Sequence, residues 1–128
     1  MQKRDEIKMA RFLKVAGVSV GIAIAPLAAL AEFAPIKTKS EFLDKVTGKN
    51  LTMVGIKVQV SPDGRIGGRA MGWDVDGDWK WSGGYFCRNL SWGGDDIGYN
   101  CQEVSVKGNK VRFQSDKGTG QAADLRIR

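Results

Sequence analysis

Few groups in this chain could do chemistry, because it contains no histidine. Without an imidazole neither a Ser-His nor a Cys-His pair can be assembled, which leaves thiol, carboxylate and lysine chemistry. Cys87 and Cys101 are its two thiols, with thirteen residues between them. That separation makes no C-x-x-C redox pair, and a zinc ion there would need carboxylates to complete its ligand set. A structural disulfide is the simpler use. The stretch Trp79 to Val104, WKWSGGYFCRNLSWGGDDIGYNCQEV, holds both cysteines, three of the four tryptophans and both tyrosines. Two β-rich runs flank Gly93-Gly94-Asp95, and a three-residue loop there pairs residues whose numbers sum to 188, which sets Cys87 opposite Cys101. Both sulfurs then lie on one sheet face, within bridging distance. Closing a loop of this length contributes about 3 kcal/mol by chain entropy.

Three further patterns resemble sites. Gly17-Val18-Ser19-Val20-Gly21 has the G-x-S-x-G spacing of a hydrolase nucleophile elbow, but it lies inside an apolar leader. Gly118-Thr119-Gly120-Gln121-Ala122-Ala123 fits G-x-G-x-x-A. That fingerprint works when a strand feeds a helix whose N-terminus meets a pyrophosphate, with an acidic residue some ~20 positions later. Here the sequence runs only to Arg128, so the expectation is a glycine turn before a last strand. Asp74-Val75-Asp76-Gly77-Asp78 resembles a calcium loop, yet its glycine is fourth and its twelfth position is Tyr85. It reads as a solvated hairpin turn, and Asp95-Asp96 as another turn pair. No metal and no cofactor is expected.

Aromatic residues with interleaved cations could bind by stacking. The candidate binding face is Trp79, Trp81, Tyr85, Arg88, Trp92 and Tyr99, and its partner would be a protein, a glycan or a small apolar ligand. Alternation places Phe86, Leu90 and Trp92 on one side and Tyr85, Cys87 and Tyr99 on the other, so one set must fill the core. Nucleic acid is not expected. Of 20 Lys and Arg five lie before Glu32, as do two of 14 Asp and Glu, so the remaining 97 residues carry +3, an ordinary surface charge.

The elements that must position these groups begin with an address. Lys3, Arg4, Lys8, Arg11 and Lys14 form a basic region, Val15 to Leu30 is apolar, and Ala29-Leu30-Ala31 is an A-x-A cleavage site. Residues 1–31 read as a signal peptide and 32–128 as one small β domain, periplasmic or secreted. The apolar run contains Gly17, Gly21 and Pro26 and falls short of the ~20 residues of a span, so no stable membrane anchor is expected after cleavage. An oxidising compartment suits the disulfide. Next, Thr38-Lys39-Ser40-Glu41 has capping-box spacing, Phe42 and Val46 share a helix face, and Gly48 sits just past the last turn. From Leu51 the period becomes two: Val54, Ile56, Val58 and Val60 alternate with Gly55, Lys57 and Gln59. Ser61-Pro62-Asp63-Gly64, Asp76-Gly77, Gly108-Asn109 and Gly118 to Gly120 read as turns. The fold class is mainly β: a small antiparallel β-barrel or curved meander of about seven strands with one short N-terminal helix.

The pattern WxWxxGYFCRxLxWGGDDxGYNCQEV followed by VRFxSDxGTG is similar to a set of small exported bacterial proteins that carry the label dihydrodipicolinate reductase, over about residues 51–128. The label implies a two-domain NAD(P)-dependent enzyme with a dinucleotide fold and a catalytic histidine. This chain has no histidine to place there, and no catalytic residue carries over. Three functions stand open: a binding or interaction module, a structural envelope protein without a discrete ligand, and the oxidoreductase implied by that label. Clustered, exposed tryptophans would favour binding; buried ones would not.

Terminal sequencing of the protein recovered from the periplasm or medium of the producing cell should find Glu32 first. An intact Met1 or Met9 in the cytosolic fraction would contradict export.

Overall fold

The computed structural model describes residues 32–128, so the expected signal peptide and the Gly17 to Gly21 motif lie outside the described residues. In chain order come β1 (Ala34–Ile36), α1 (Lys39–Lys45), β2 (Asn50–Met53), β3 (Ile56–Val60), β4 (Arg65–Ala70) and β5 (Trp73–Ser82). Then follow β6 (Tyr85–Trp92), β7 (Asp95–Lys107), β8 (Lys110–Gln114), the single turn α2 (Ser115–Gly118) and β9 (Ala122–Ile127). Strands β2 to β9 form an antiparallel meander that closes on itself, because β9 pairs with β2 as well as with β8. The result is a closed eight-stranded barrel, close to the seven strands read from the sequence. β1 lies outside the ring order, along the second half of β7, where Ala34 pairs with Val106 and Ile36 with Val104.

Closure gives each strand an inner and an outer face. Inner positions include Val60, Ile66, Trp79, Phe86, Val104, Val111 and Leu125, all buried. The sequence wrote those positions as every second residue. Helix α1 begins at its expected cap, with the Glu41 amide donating to Thr38 Oγ1 at 3.2 Å. The Glu41 carboxylate turns instead to Lys45, 3.5 Å away. Phe42 and Val46 are fully buried. The Phe42 ring lies 5.1 Å from each of Trp79, Trp81 and Phe86, so the helix plugs the end of the barrel that carries the β3–β4 and β5–β6 turns. Aromatic pairs at this spacing add about 0.5–1.5 kcal/mol each beyond the area they bury. The Trp79 indole N–H, buried there, donates to the Ser61 carbonyl at 2.9 Å.

Two turn assignments need correction. Asp76-Gly77 is not a hairpin turn but the middle of β5, and the β4–β5 turn is Met71-Gly72, between the paired residues Ala70 and Trp73. Asp74, Asp76 and Asp78 share the outer face, where Asp74 pairs with Arg69 at 2.7 Å and Asp76 with Arg65 at 3.9 Å. Gly77 faces inward opposite Leu90; a Cβ on it would come within 2.9 Å of Leu90 Cδ2 and would also meet the Asn89 carbonyl. The glycine is there for close approach, not for a turn.

The second correction concerns the cysteine hairpin. Its loop has two residues, Gly93 and Gly94 with φ of 60° and 90°, and joins Trp92 to Asp95, so its register sums to 187. A bulge that leaves Ile97 without a partner restores the sum of 188 from Leu90 and Gly98 onward. Cys87 therefore does face Cys101, with Cα atoms 3.9 Å apart, and the two form a disulfide. A shorter loop and one extra residue cancel. Two ladders further round the ring, Arg112 grips Asp124 with Nε and Nη2 at 2.7 and 3.0 Å, linking β8 to β9. These hydrogen bonds hold the Asp124 carboxyl below the usual carboxylate range.

Unreduced peptide mapping should recover the two cysteine peptides linked. Cys87→Ala should lower unfolding free energy by about 2–5 kcal/mol in denaturant titration, as loss of a native bridge does in small domains. An unchanged midpoint would show that the bridge contributes nothing to the barrel.

Candidate functional site

The six residues of the candidate face do not share one surface. Trp79 is buried at 6% exposure, Trp81 is half-buried against Phe42, and Tyr85 and Tyr99 stand on the outer face with the disulfide. The Tyr99 hydroxyl lies 3.4 Å from Cys101 Sγ. Arg88 and Trp92 share the inward parity of β6 with Phe86 and Leu90, and two separate features are built around them.

The first is a cavity of about 170 Å³ inside the barrel, not fully enclosed. All eight ring strands contribute to its wall, from Leu51 on β2 to Leu125 on β9. Ten of its twelve lining residues are apolar, and the remaining two are Arg88 and Gln102. The cause lies in the geometry of the ring: aromatic side chains and the α1 plug fill one half, while Val58, Val75 and Leu90 are too short to meet across the other. Gln102 is engaged, its Nε2 donating to Ser115 Oγ at 3.2 Å. Arg88 donates one Nη1 hydrogen to the Gly98 carbonyl at 2.8 Å. Burial pushes the Arg88 guanidinium below its ordinary pKa, since the charged form loses water. No residue lining the cavity is acidic, and among the described residues no carboxylate stands within ion-pair distance of Arg88.

The second feature is a rim. Trp73 is 61% exposed and Trp92 40%, and with Gly93 and Asp95 they border a cleft of about 140 Å³. Met53, Val54, Met71 and Ile97 are exposed as well. All six lie in or beside the β2–β3, β4–β5 and β6–β7 turns, which a meander brings to the same end, opposite the α1 plug. Trp92 also pairs with Val75 of the cavity wall and anchors its indole N–H on the Ala70 carbonyl at 2.8 Å. Trp73 and Met71 stand outside the face expected from the sequence. A signal was present, since a glycine after Met71 between two β-rich runs marks a turn, and turn-flanking side chains at a barrel mouth stay exposed.

Elsewhere the motifs resolve as local structure. Gly118 to Ala123 leads from the α2 turn directly into β9, so a strand stands where the dinucleotide fingerprint needs a helix. Asp116 and Lys117 both have a φ of 55°. Asn100 holds this conformation, its Nδ2 donating to Asp116 Oδ1 at 2.8 Å and its Oδ1 accepting from the Asp116 amide at 2.9 Å. The clustered aspartates of β5 face solvent, Asp74 and Asp76 in ion pairs, and the described residues contain no group of three or more His, Cys, Asp or Glu able to hold a metal.

Comparison with protein-family models, with curated proteins and with solved structures finds no match to the chain.

The four tryptophans should divide in two by acrylamide quenching. Replacing Trp73 and Trp92 together by Phe should leave emission that is blue-shifted and poorly quenched, with stability changed by no more than about 0.5 kcal/mol through Trp73 and lowered by about 0.5–1.5 kcal/mol through Trp92, which loses its bond to the Ala70 carbonyl. Quenching that survives the double substitution would place a third indole in water.

Proposed function

We propose that this protein is an exported, disulfide-stapled barrel that binds a small apolar ligand in its lumen. The observation that carries the reading is the cavity walled by every strand of the ring, with ten apolar residues among twelve. Interiors of small barrels are ordinarily filled by side chains, and packing at native density leaves few voids larger than a water. An unfilled lumen costs stability, since every lining atom that lacks a partner forfeits dispersion contact. A guest that supplies those contacts recovers the loss. Apolar cavities of about 150 Å³ accept a guest the size of benzene, and pockets for drug-sized ligands begin at about 300 Å³. The fitting ligand is therefore a single ring or a short alkyl chain.

The rim supports the same reading against a purely structural role. Trp73 and Trp92 are exposed and adjacent, and Trp92 is paired with a residue of the cavity wall. With the far end plugged by Phe42, a ligand entering from the rim would meet a wall that is apolar at ten of its twelve positions. Export is part of the proposal. The basic and apolar leader, the A-x-A site and the disulfide support it together.

Thermal-shift and calorimetric titration of the purified protein with toluene, indole and hexanol tests the reading. At least one should raise the melting temperature saturably, by the linkage expected of a ligand that binds only the folded state. Val75→Phe, which places a ring in the lumen, should abolish the response while raising or preserving stability. If neither these three nor benzoate binds, or if Val75→Phe binds as well as the parent, the lumen is not a ligand site.

A further inference from the structure

We infer that the luminal ligand is an apolar monocarboxylate, with its hydrocarbon part against the barrel wall and its carboxylate on the guanidinium of Arg88. The inference rests on the luminal reading above and adds the chemical class of the ligand. Arg88 is the one cation of the cavity wall, between its cross-strand partners Trp79 on β5 and Asn100 on β7. A guanidinium carries five N–H donors in a planar fork that matches the two oxygens of a carboxylate. Among the described residues Arg88 makes one donor–acceptor pair, from Nη1 to the Gly98 carbonyl. The rest of the fork has no partner among the described residues, where no fully buried side-chain N or O lacks one, so those donors keep some accessible surface on a side chain that lines the lumen.

Charge balance narrows the class. Removing a cation from water is costly unless an anion compensates it, and here the wall supplies none. One guanidinium matches one negative charge. A phosphate monoester would bring about twice that charge into a wall with a single cation, and a neutral alcohol or arene would leave the guanidinium as it stands. The other polar lining residue adds no competing preference, since the Gln102 amide already donates to Ser115 Oγ. The Trp79 indole N–H is likewise spent on the Ser61 carbonyl. Size then completes the description: about 170 Å³ accommodates a benzoate or a hexanoate but not a long acyl chain.

Matched probes decide the point. Benzoate is titrated against benzyl alcohol and hexanoate against hexanol by calorimetry on the purified protein, on Arg88→Lys and on Arg88→Met. The parent should bind each acid at least about tenfold tighter than its alcohol, the scale of a hydrogen bond to a charged group. Arg88→Met should erase that preference while keeping the alcohol affinity, and Arg88→Lys should retain part of it. The ratio of benzoate to hexanoate affinity reports whether an aryl or an alkyl acid suits the wall. Alcohols that bind as well as their acids would overturn the carboxylate assignment and leave the luminal reading standing. Failure of all four probes would overturn both. Should Arg88→Met lose its near-ultraviolet tryptophan signal, the parent acid-to-alcohol ratio and Arg88→Lys decide alone: a ratio near one, or an undiminished ratio in Arg88→Lys, counts against the fork.

Discussion

The structure depends on the pairing of β9 with β2. It is a short ladder, Leu51 with Ile127 and Thr52 with Arg126, flanked by reciprocal backbone bonds between Asn50 and Arg128 at 3.1 and 2.8 Å. Without it the eight strands would form an open sheet with two free edges, a template for pairing with other chains. With it, alternation along every strand acquires a meaning, because one parity faces a common interior and the other faces solvent. The burial of Leu51 and Leu125 beside this ladder shows how closure is held: two core side chains lie where the hydrogen bonds are fewest.

Closure also sets a volume that side chains must fill, and the two ends of the ring meet that demand differently. At the α1 end Phe42, Trp79, Phe86 and Phe113 pack with ring centroids 5.1 to 5.5 Å apart. Toward the rim the inward positions hold Val58, Val75, Gly77 and Leu90, and smaller residues leave space. Gly77 is needed because Leu90 and the Asn89 carbonyl occupy the place of its missing Cβ. The same run of small inward residues that permits close strand approach also leaves the lumen unfilled around Arg88. Close aromatic packing and open space thus lie toward opposite ends of one interior.

The disulfide acts on the other face. Cys87 and Cys101 lie on the outer parity, flanked by Tyr85 and Tyr99, and tie β6 to β7 just below the bulge at Ile97. A bulge weakens the ladder and turns the strand, and the hairpin beyond it carries Trp92 and Ile97 to the rim. A covalent link placed immediately before the irregularity confines the disruption to the tip. The cross-link and the rim are consequently two aspects of one hairpin, which is why the densest stretch of the sequence holds residues of both.

Local rules decided much of this in advance. The Thr38 cap, the shared face of Phe42 and Val46, and the period-two run involve residues near in sequence, although that run holds only from Ile56 to Val60 because Val54 lies exposed in the β2–β3 turn; the pairing of Cys87 with Cys101 follows from a loop one residue shorter than expected, offset by the bulge at Ile97. Where those rules failed, a local pattern had two physical uses. Asp-Gly satisfies a turn, but it equally satisfies a strand whose aspartates face water and whose glycine meets a neighbour; only the presence of Leu90 across β5 and β6 distinguishes them. Alternation divides Phe86, Leu90 and Trp92 from Tyr85, Cys87 and Tyr99 without saying which set is inside. That choice belongs to the tertiary structure, because it follows from where α1 docks and from the meeting of residues 51 and 127, contacts between distant parts of the chain. The lumen is of the same kind: a space bounded by eight strands has no signature in any one of them, and Arg88 becomes a cation inside an apolar wall only once the ring has closed.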